Sequence, residues 1–401
     1  MTLSPSPSPA RLLWDKGGLW SLMNLEAAWQ RGLALSPISA ADIAKGGLED
    51  ARLLVVPGGW SIHKKKALGD SGAGAIREFI ERGGIYLGFC GGAGLALDVP
   101  DGLGLVPLGR ATGQGRVPGL SGPVLVEPDQ GARRHFLWSG ADNPAHCLVW
   151  FPGQFAEPDD PSLRVIARYY GPSDGLYVAD LRLEQIAATE RPALEEQYGV
   201  GLDPSPLWGQ PAMLEASLGM GRLLLSYLHL DTPGDGPCGA AMERLWQGLL
   251  SDGARRQAPA PPGPRLPRMA RLAGSCAALW DRGRALGLWQ HRHPAMPLWT
   301  RGARGLEFWE LKRLSEAMAA WCDDDDLAIE IEAALEPVLA HAEAVLHCQK
   351  SRLEGNRPEG HAVEIEAVWF PRPRRVGGDW AEAVEKLAAG LLGALQTASP
   401  H

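Results

Sequence analysis

The segment around Cys90 most constrains how this chain can fold. An apolar run, Ile85-Tyr86-Leu87, is followed by Gly88-Phe89-Cys90-Gly91-Gly92-Ala93 and then by Gly94-Leu95-Ala96-Leu97, which is typical of a helix. This pattern predicts a tight strand-to-helix turn, because glycines on both sides of the cysteine let neighbouring backbone approach. The sulfur would project beyond the strand, where a helix N-terminus favours the thiolate. Cys90 is therefore a candidate nucleophile.

The first 250 residues alternate short apolar strands with amphipathic helices, which predicts an α/β fold with a mostly parallel, doubly wound, flavodoxin-like sheet. Beyond residue 100 the pattern favours β structure and predicts an antiparallel extension, interrupted by a polar insertion. The predicted strands lie at 11–14, 52–56 and 85–87, with the extension at 123–127, 148–151, 164–169, 212–217 and 223–226, the insertion at 171–208, and the helices at 19–31, 75–82 and 239–250.

A proline-rich stretch, Ala258 to Pro264, separates this domain from a second one, because such a stretch is stiff and cannot continue a helix. We assign residues 1–253 to the α/β domain, 254–268 to the linker, and 269–401 to an all-α helical bundle of unknown role. The predicted helices of the bundle lie near 269–290, 305–321, 327–353 and 380–395.

Composition excludes several classes of protein. The 401 residues are 45% hydrophobic and 21% charged, with a net charge of -8, so we expect a substantial core and no nucleic-acid partner. The N-terminus lacks the features of a signal peptide and no run reaches membrane-spanning length, which predicts a cytoplasmic protein with no membrane contact. The six cysteines form no Cys-x-x-Cys pair and His291-Arg292-His293 lacks ligand partners, so we expect no metal and no cofactor.

Two further segments end predicted strands and should meet Cys90 at one edge of the sheet. They are the Gly58-Gly59 loop and His229-Leu230-Asp231. In such an arrangement His229 would take the thiol proton and Asp231 would orient the imidazole. Backbone N–H groups near the glycines would stabilise an oxyanion. The predicted oxyanion and substrate-binding residues are Gly58, Gly59, Trp60, Gly91 and Gly92.

Each of these features also has a purely structural interpretation. Cys90 could be a buried thiol in a tight turn, His229 and Asp231 a polar pair at a strand end, and Gly58-Gly59 only a turn. The run Lys64-Lys65-Lys66 could attract a substrate carboxylate, but a solvated charge run is the favoured interpretation.

The three segments resemble the class I glutamine amidotransferase superfamily, and within it the biotin-protein ligase N-terminal domain branch. The resemblance rests on Pro57-Gly58-Gly59, on Gly83 to Ala93, and on Gly219 to Asp231, and it spans roughly residues 10 to 250. It implies a cysteine that attacks the side-chain amide of glutamine, forms a glutamyl thioester and releases ammonia. A His-x-Glu pair completes the triad of that superfamily, whereas this chain has His229-x-Asp231, and the shorter carboxylate requires a compensating shift of backbone.

A small amide, glutamine by resemblance, is therefore the expected substrate of a cysteine-dependent amidotransferase-like enzyme. The chain has no Gly-x-x-x-x-Gly-Lys loop to activate an ammonia acceptor, so a separate synthase or regulatory protein is a possible partner. A catalytically silent binding or regulatory module with the same fold is the main alternative, and another hydrolase or transferase is a third. Biotin ligation is not expected, because Gly113-Gln114-Gly115-Arg116 only faintly resembles a biotin ligase loop.

Overall fold

The computed structural model describes residues 10–111, 119–250, 263–371 and 376–398. They form two compact units, with residues 10–250 in the first and 263–398 in the second. The segment from Gly113 to Arg116 and most of the predicted linker lie outside the described residues.

An eleven-stranded mixed sheet forms the centre of the first unit, in the order β2-β1-β3-β4-β11-β10-β7-β5-β8-β9, with β6 paired to β5. The strands are β1 (Ala10–Leu13), β2 (Ser36–Ile38), β3 (Leu53–Val56), β4 (Ile85–Phe89), β5 (Leu120–Pro128), β6 (Ala145–Trp150), β7 (Leu163–Pro172), β8 (Tyr177–Val178), β9 (Leu181–Arg182), β10 (Pro211–Leu218) and β11 (Gly221–Ser226).

The strands β2, β1, β3, β4 and β11 are parallel, which confirms the predicted doubly wound sheet. Every residue of β3 and β4 is buried, as expected for strands covered on both faces. Residues 223–226, predicted in the antiparallel extension, lie in β11, which is antiparallel to β10 but parallel to β4. The tight turn at Gly219 and Met220 reverses the chain after β10 and so aligns β11 with the parallel strands.

Six helices belong to the first unit: α1 (Leu19–Gln30), α2 (Ala40–Ala44), α3 (Ser61–Glu81), α4 (Gly91–Ala96), α5 (Arg191–Tyr198) and α6 (Gly236–Leu249), counted over its described residues. Helix α3 begins well before the predicted start at residue 75, and its helical geometry is interrupted at Gly69, where φ is 57° and ψ is -170°. The polar and glycine-rich first half carries little apolar periodicity, which is why the sequence did not predict it.

The second unit is helical, as predicted, with α7 (Pro267–Ala285), α8 (Gly305–Trp321), α9 (Asp325–Leu353), α10 (His361–Trp369) and α11 (Gly378–Ala398). It also contains an unpredicted hairpin, β12 (Trp289–His293) and β13 (Met296–Trp299), so it is not all-α. The first helix ends at Ala285 rather than near Gln290, because Gly287 has a φ of 71° and Trp289 folds back to donate a hydrogen bond to the carbonyl of Trp280 at 2.9 Å.

Within the described ranges, the helices are all too short or too polar to cross a membrane.

Candidate active site

Cys90 occupies a strained turn between β4 and α4. Its φ of 47° and ψ of -105° lie in a region that side chains other than glycine rarely adopt. Its N–H donates to the carbonyl of Ser226, the last residue of β11, at 2.7 Å. Because strained residues cluster at functional sites when the surrounding structure holds them in place, the turn marks Cys90 as a candidate functional residue. Its side chain is partly exposed, whereas the other five cysteines, all within the described ranges, are buried.

The glycines after Cys90 allow the turn to contact the loop that follows β3. A Cβ atom on Gly91 would lie 1.6 Å from the carbonyl oxygen of Gly59, and one on Gly92 would lie 2.0 Å from that of Val56. Only glycine permits this approach. The two segments predicted to supply oxyanion donors are thus in direct contact at the edge of the sheet.

His229 and Asp231 form a buried pair in the loop after β11. The Nδ1 atom of His229 lies 2.9 Å from Oδ1 of Asp231, and each residue is only 1% exposed. The loop is fixed by two further bonds: the N–H of His229 donates to the carbonyl of Leu148 at 2.7 Å, and the hydroxyl of Thr232 donates to the carbonyl of His229 at 2.8 Å. The imidazole is therefore held in one orientation.

The environment raises the pKa of His229 to about 10. Burial alone would lower this pKa, but the charge and hydrogen bond of Asp231 outweigh burial, and the neighbouring sulfur of Cys90 adds to the increase. The Nε2 atom of His229 is buried and has no hydrogen-bond partner among the described residues. The raised pKa of His229 favours the protonated form of its imidazole.

Two residues of α1 that the sequence did not predict also contact this pair. The ring of Trp20 stacks on the imidazole of His229, with centroids 5.0 Å apart and an interplanar angle of 28°. The Nδ2 atom of Asn24 donates to Oδ2 of Asp231 at 3.1 Å. The signal was Asn24 itself, a polar side chain within the apolar run Leu22-Met23-Asn24-Leu25, because a buried amide requires a partner.

Lys64 was predicted to be part of a solvated charge run, but the structure shows that it is buried. Its side chain is fully buried, and its ammonium donates to the carbonyls of Gly58 and of Lys16, the latter at 3.1 Å. Side chains lean toward the N-terminus of their helix, so a lysine in the first turn of α3 reaches back to the preceding glycine loop. Only Lys66 of the lysine run is exposed as a solvated charge. The sequence gives no direct sign of which lysine is buried.

Trp60 lies at the rim rather than in the interior, with 64% of its surface exposed, although it directly follows Gly59. Among the described residues, no group of three or more His, Cys, Asp or Glu side chains is arranged to bind a metal ion. His291 instead accepts a hydrogen bond from the indole of Trp280 at 3.2 Å.

The strand order and the turn after β4 make the first unit an α/β fold with a doubly wound, mostly parallel sheet and an antiparallel extension. Residues 21–98 match the family model for the biotin-protein ligase N-terminal domain, which confirms the predicted resemblance over the segment that contains Gly58, Gly59 and Cys90. The match does not extend to His229 or Asp231.

Comparison with solved structures gives similar chains of low identity. A Thermoplasma acidophilum protein described as a GMP synthase component has 13% identity and a TM-score of 0.38, over 61% of this chain and 94% of that one. A glutamine amidotransferase from Thermotoga maritima has 13% identity and a TM-score of 0.33, over 61% and 82%. A β-galactosidase from Bacillus circulans has 10% identity and a TM-score of 0.37, over 65% and 33%. The search of curated proteins found no match.

Proposed function

We propose that the first unit is a cysteine-dependent enzyme that cleaves a small amide, with Cys90 as the nucleophile, His229 as the proton carrier and Asp231 as the group that orients it. The observation that carries the proposal is the buried His229–Asp231 pair beside the strained Cys90 turn. A nucleophile, a base and an orienting carboxylate are the three groups that acyl transfer requires.

The thiolate of Cys90 attacks the amide carbonyl carbon, and the carbonyl π electrons move to oxygen. Backbone N–H groups at Gly59 and Gly91 are the candidate donors to this oxyanion, since Gly91 directly follows Cys90 and packs closely against Gly59. Collapse of the tetrahedral intermediate breaks the carbon–nitrogen bond. The imidazolium of His229 gives its proton to the leaving nitrogen, which departs as ammonia and leaves a thioester on Cys90.

Hydrolysis of the thioester reverses these roles. The now neutral His229 accepts a proton from water as the water oxygen attacks the thioester carbonyl. The carbon–sulfur bond breaks, the acid leaves, and the thiolate–imidazolium pair is restored. Asp231 stabilises the imidazolium throughout and is not itself protonated.

Glutamine is the proposed substrate because of the resemblance to the amidotransferase superfamily. If the released ammonia is used in synthesis, a separate synthase would have to activate its acceptor. The described residues of the second unit offer no specific sign of such a role, and no function is assigned to that unit.

Alkylation of Cys90 by iodoacetamide across the pH range tests the nucleophile. Because the other five cysteines are buried, we expect carboxamidomethylation at Cys90 alone at neutral pH, identified by peptide mapping. The rate should exceed that of a free thiol such as glutathione, because only the thiolate reacts. A matched variant, Cys322→Ala, removes a buried thiol and should leave the rate unchanged.

Ammonia release from glutamine and from small aliphatic amides then tests the reaction. Wild-type protein should release ammonia and Cys90→Ala should not. Equal release by both proteins would overturn the proposal. A wild-type Cys90 no more reactive than glutathione, with no ammonia from any of these amides, would favour the silent binding module instead.

A further inference from the structure

The carboxylate of Asp231 is bound at both oxygens. Oδ1 faces Nδ1 of His229 at 2.9 Å, and Oδ2 accepts a hydrogen bond from Nδ2 of Asn24 at 3.1 Å. Asn24 is completely buried, so no solvent competes for this contact. A carboxylate held at one oxygen can rotate about its χ2 bond, whereas one held at both oxygens keeps the first oxygen directed at the imidazole.

Helix α1 contacts Asp231 through Asn24 and also contacts His229 through Trp20. Trp20 and Asn24 are four residues apart and therefore lie on the same face of the helix. Trp20 stacks on the ring of His229 while Asn24 binds the carboxylate of Asp231. One helix turn thus contacts both members of the pair, each through a different group.

Asn24 is poorly suited to a role in stability alone. Its Oδ1 atom is buried without a hydrogen-bond partner among the described residues. Leaving a buried acceptor unpaired costs roughly 1–3 kcal/mol. The neighbouring positions, Leu22, Met23 and Leu25, are apolar and buried, as stability would favour for position 24 as well.

We propose that Asn24 is a positioning residue for the site: its amide fixes the Asp231 carboxylate, which in turn fixes the imidazole of His229 toward Cys90. This inference rests on the proposed function, since it assigns Asn24 a role in the same reaction. It also accounts for how an aspartate serves this site, because the amide holds the shorter carboxylate in place.

Three variants test the inference. Asn24→Leu keeps similar volume and removes the donor. Asn24→Asp replaces the amide with a carboxyl group that can donate only when the pair with Asp231 retains a proton. Ser21→Ala is the matched control on the same helix, because the buried hydroxyl of Ser21 donates to the carbonyl of Trp14 at 3.1 Å and does not contact the pair.

We expect Asn24→Leu to lower the rate of Cys90 alkylation and the kcat for ammonia release at least tenfold, with KM changed less than twofold. Asn24→Asp should approach the wild-type rate at acid pH and lose it as the pH rises and the shared proton is removed, a limb absent from the wild-type profile. Ser21→Ala should stay within twofold of wild type. An Asn24→Leu alkylation rate within twofold of wild type overturns the inference. If Asn24→Leu does not fold, the loss of rate with rising pH in Asn24→Asp is the test, and a wild-type pH profile in Asn24→Asp overturns the inference.

A proton held between Nδ1 of His229 and Oδ1 of Asp231 should give a downfield resonance in the NMR spectrum, and this resonance tests the inference separately from the proposed function. It should be present in wild type and in Ser21→Ala and lost or strongly shifted in Asn24→Leu. If the wild type shows the resonance but neither rapid alkylation nor ammonia release, the proposed function fails and the comparison with Asn24→Leu still decides the positioning role. An unchanged resonance in Asn24→Leu overturns it.

Discussion

Asp231 reaches the imidazole of His229 at 2.9 Å although a single residue separates them in sequence. The loop after β11 makes this possible, because the Thr232 hydroxyl bonds back to the carbonyl of His229 while the N–H of His229 bonds to Leu148 on β6. The two side chains therefore project from this loop in the same direction and contact each other. These hydrogen bonds thus hold the loop in the conformation that brings the two side chains within 2.9 Å of each other.

Replacing Asp231 with asparagine should reverse the direction of the pKa shift at His229. Asp231 supplies the charge and hydrogen bond that raise the pKa of His229 to about 10, whereas burial acts to lower it. Without the carboxylate charge, burial dominates and the pKa should fall below its ordinary value of about 6.5. Titration of the His229 Cε1 proton by NMR measures this change. Asp70→Asn, an exposed carboxylate of α3, should leave that titration unchanged. A pKa that stays near 10 in Asp231→Asn would show that another group holds the imidazolium.

The same pair makes stability depend on pH in a defined direction. Because the pKa of His229 is higher in the folded protein than in the unfolded chain, its stabilising effect is complete below about pH 6.5 and is lost as the pH rises through about 10. Removing one partner of a buried pair costs roughly 3–5 kcal/mol. The free energy of unfolding of His229→Gln should therefore be lower than that of wild type by about this amount at pH 6, and the difference should shrink toward pH 10. Denaturant titrations at these two pH values provide the comparison, with exposed His63→Gln as the control. A difference that grows with pH contradicts the assignment.

The parallel half of the sheet and the position of Cys90 were predictable because both depend on local patterns. Apolar runs such as Leu53 to Val56 and the glycines at positions 88, 91 and 92 predict strand ends and a tight turn without any distant contact. His229 and Asp231 were predicted to lie near Cys90 because they follow a predicted strand of the same sheet.

Asn24 and Lys64 were not predictable in the same way, because their roles depend on contacts distant in sequence. Asn24 meets Asp231 more than two hundred residues away. Lys64 is one of three consecutive lysines, and the sequence alone does not show which of them is buried against the glycine loop. The C-terminal hairpin was missed for a related reason: Trp289 packs on Trp280, and this contact acts together with the positive φ of Gly287 to end the preceding helix.

Replacing Gly91 with alanine should disrupt the turn. The added Cβ would lie 1.6 Å from the carbonyl oxygen of Gly59, so either the turn or the glycine loop must move. Strain of this kind destabilises by roughly 1–3 kcal/mol, and the displaced loop should lower the rate of Cys90 alkylation. Gly74→Ala is the matched control, since this exposed glycine of α3 has no atom within 4 Å of an added Cβ. The control should be neutral or stabilising by up to about 1 kcal/mol. Thermal unfolding and alkylation rates measure both effects, and equal behaviour of the two variants would contradict the contact between Gly91 and Gly59.

Replacing Lys64 with methionine should loosen the glycine loop. A cation near a helix N-terminus is unfavourable for the helix dipole, so the buried ammonium of Lys64 is held there by the carbonyls of Gly58 and Lys16. Methionine fills similar space but removes the donor to the buried carbonyl of Gly58, and an unpaired buried acceptor costs roughly 1–3 kcal/mol. We expect a lower melting temperature and faster amide hydrogen exchange at Gly58 and Gly59, together with slower alkylation of Cys90, because the loop no longer holds its position against Gly91. Lys66→Met is the control, as Lys66 is the exposed member of the same run and should tolerate the change with no effect on exchange or alkylation. If Lys64→Met matches Lys66→Met in all three measurements, the glycine loop is held by other contacts.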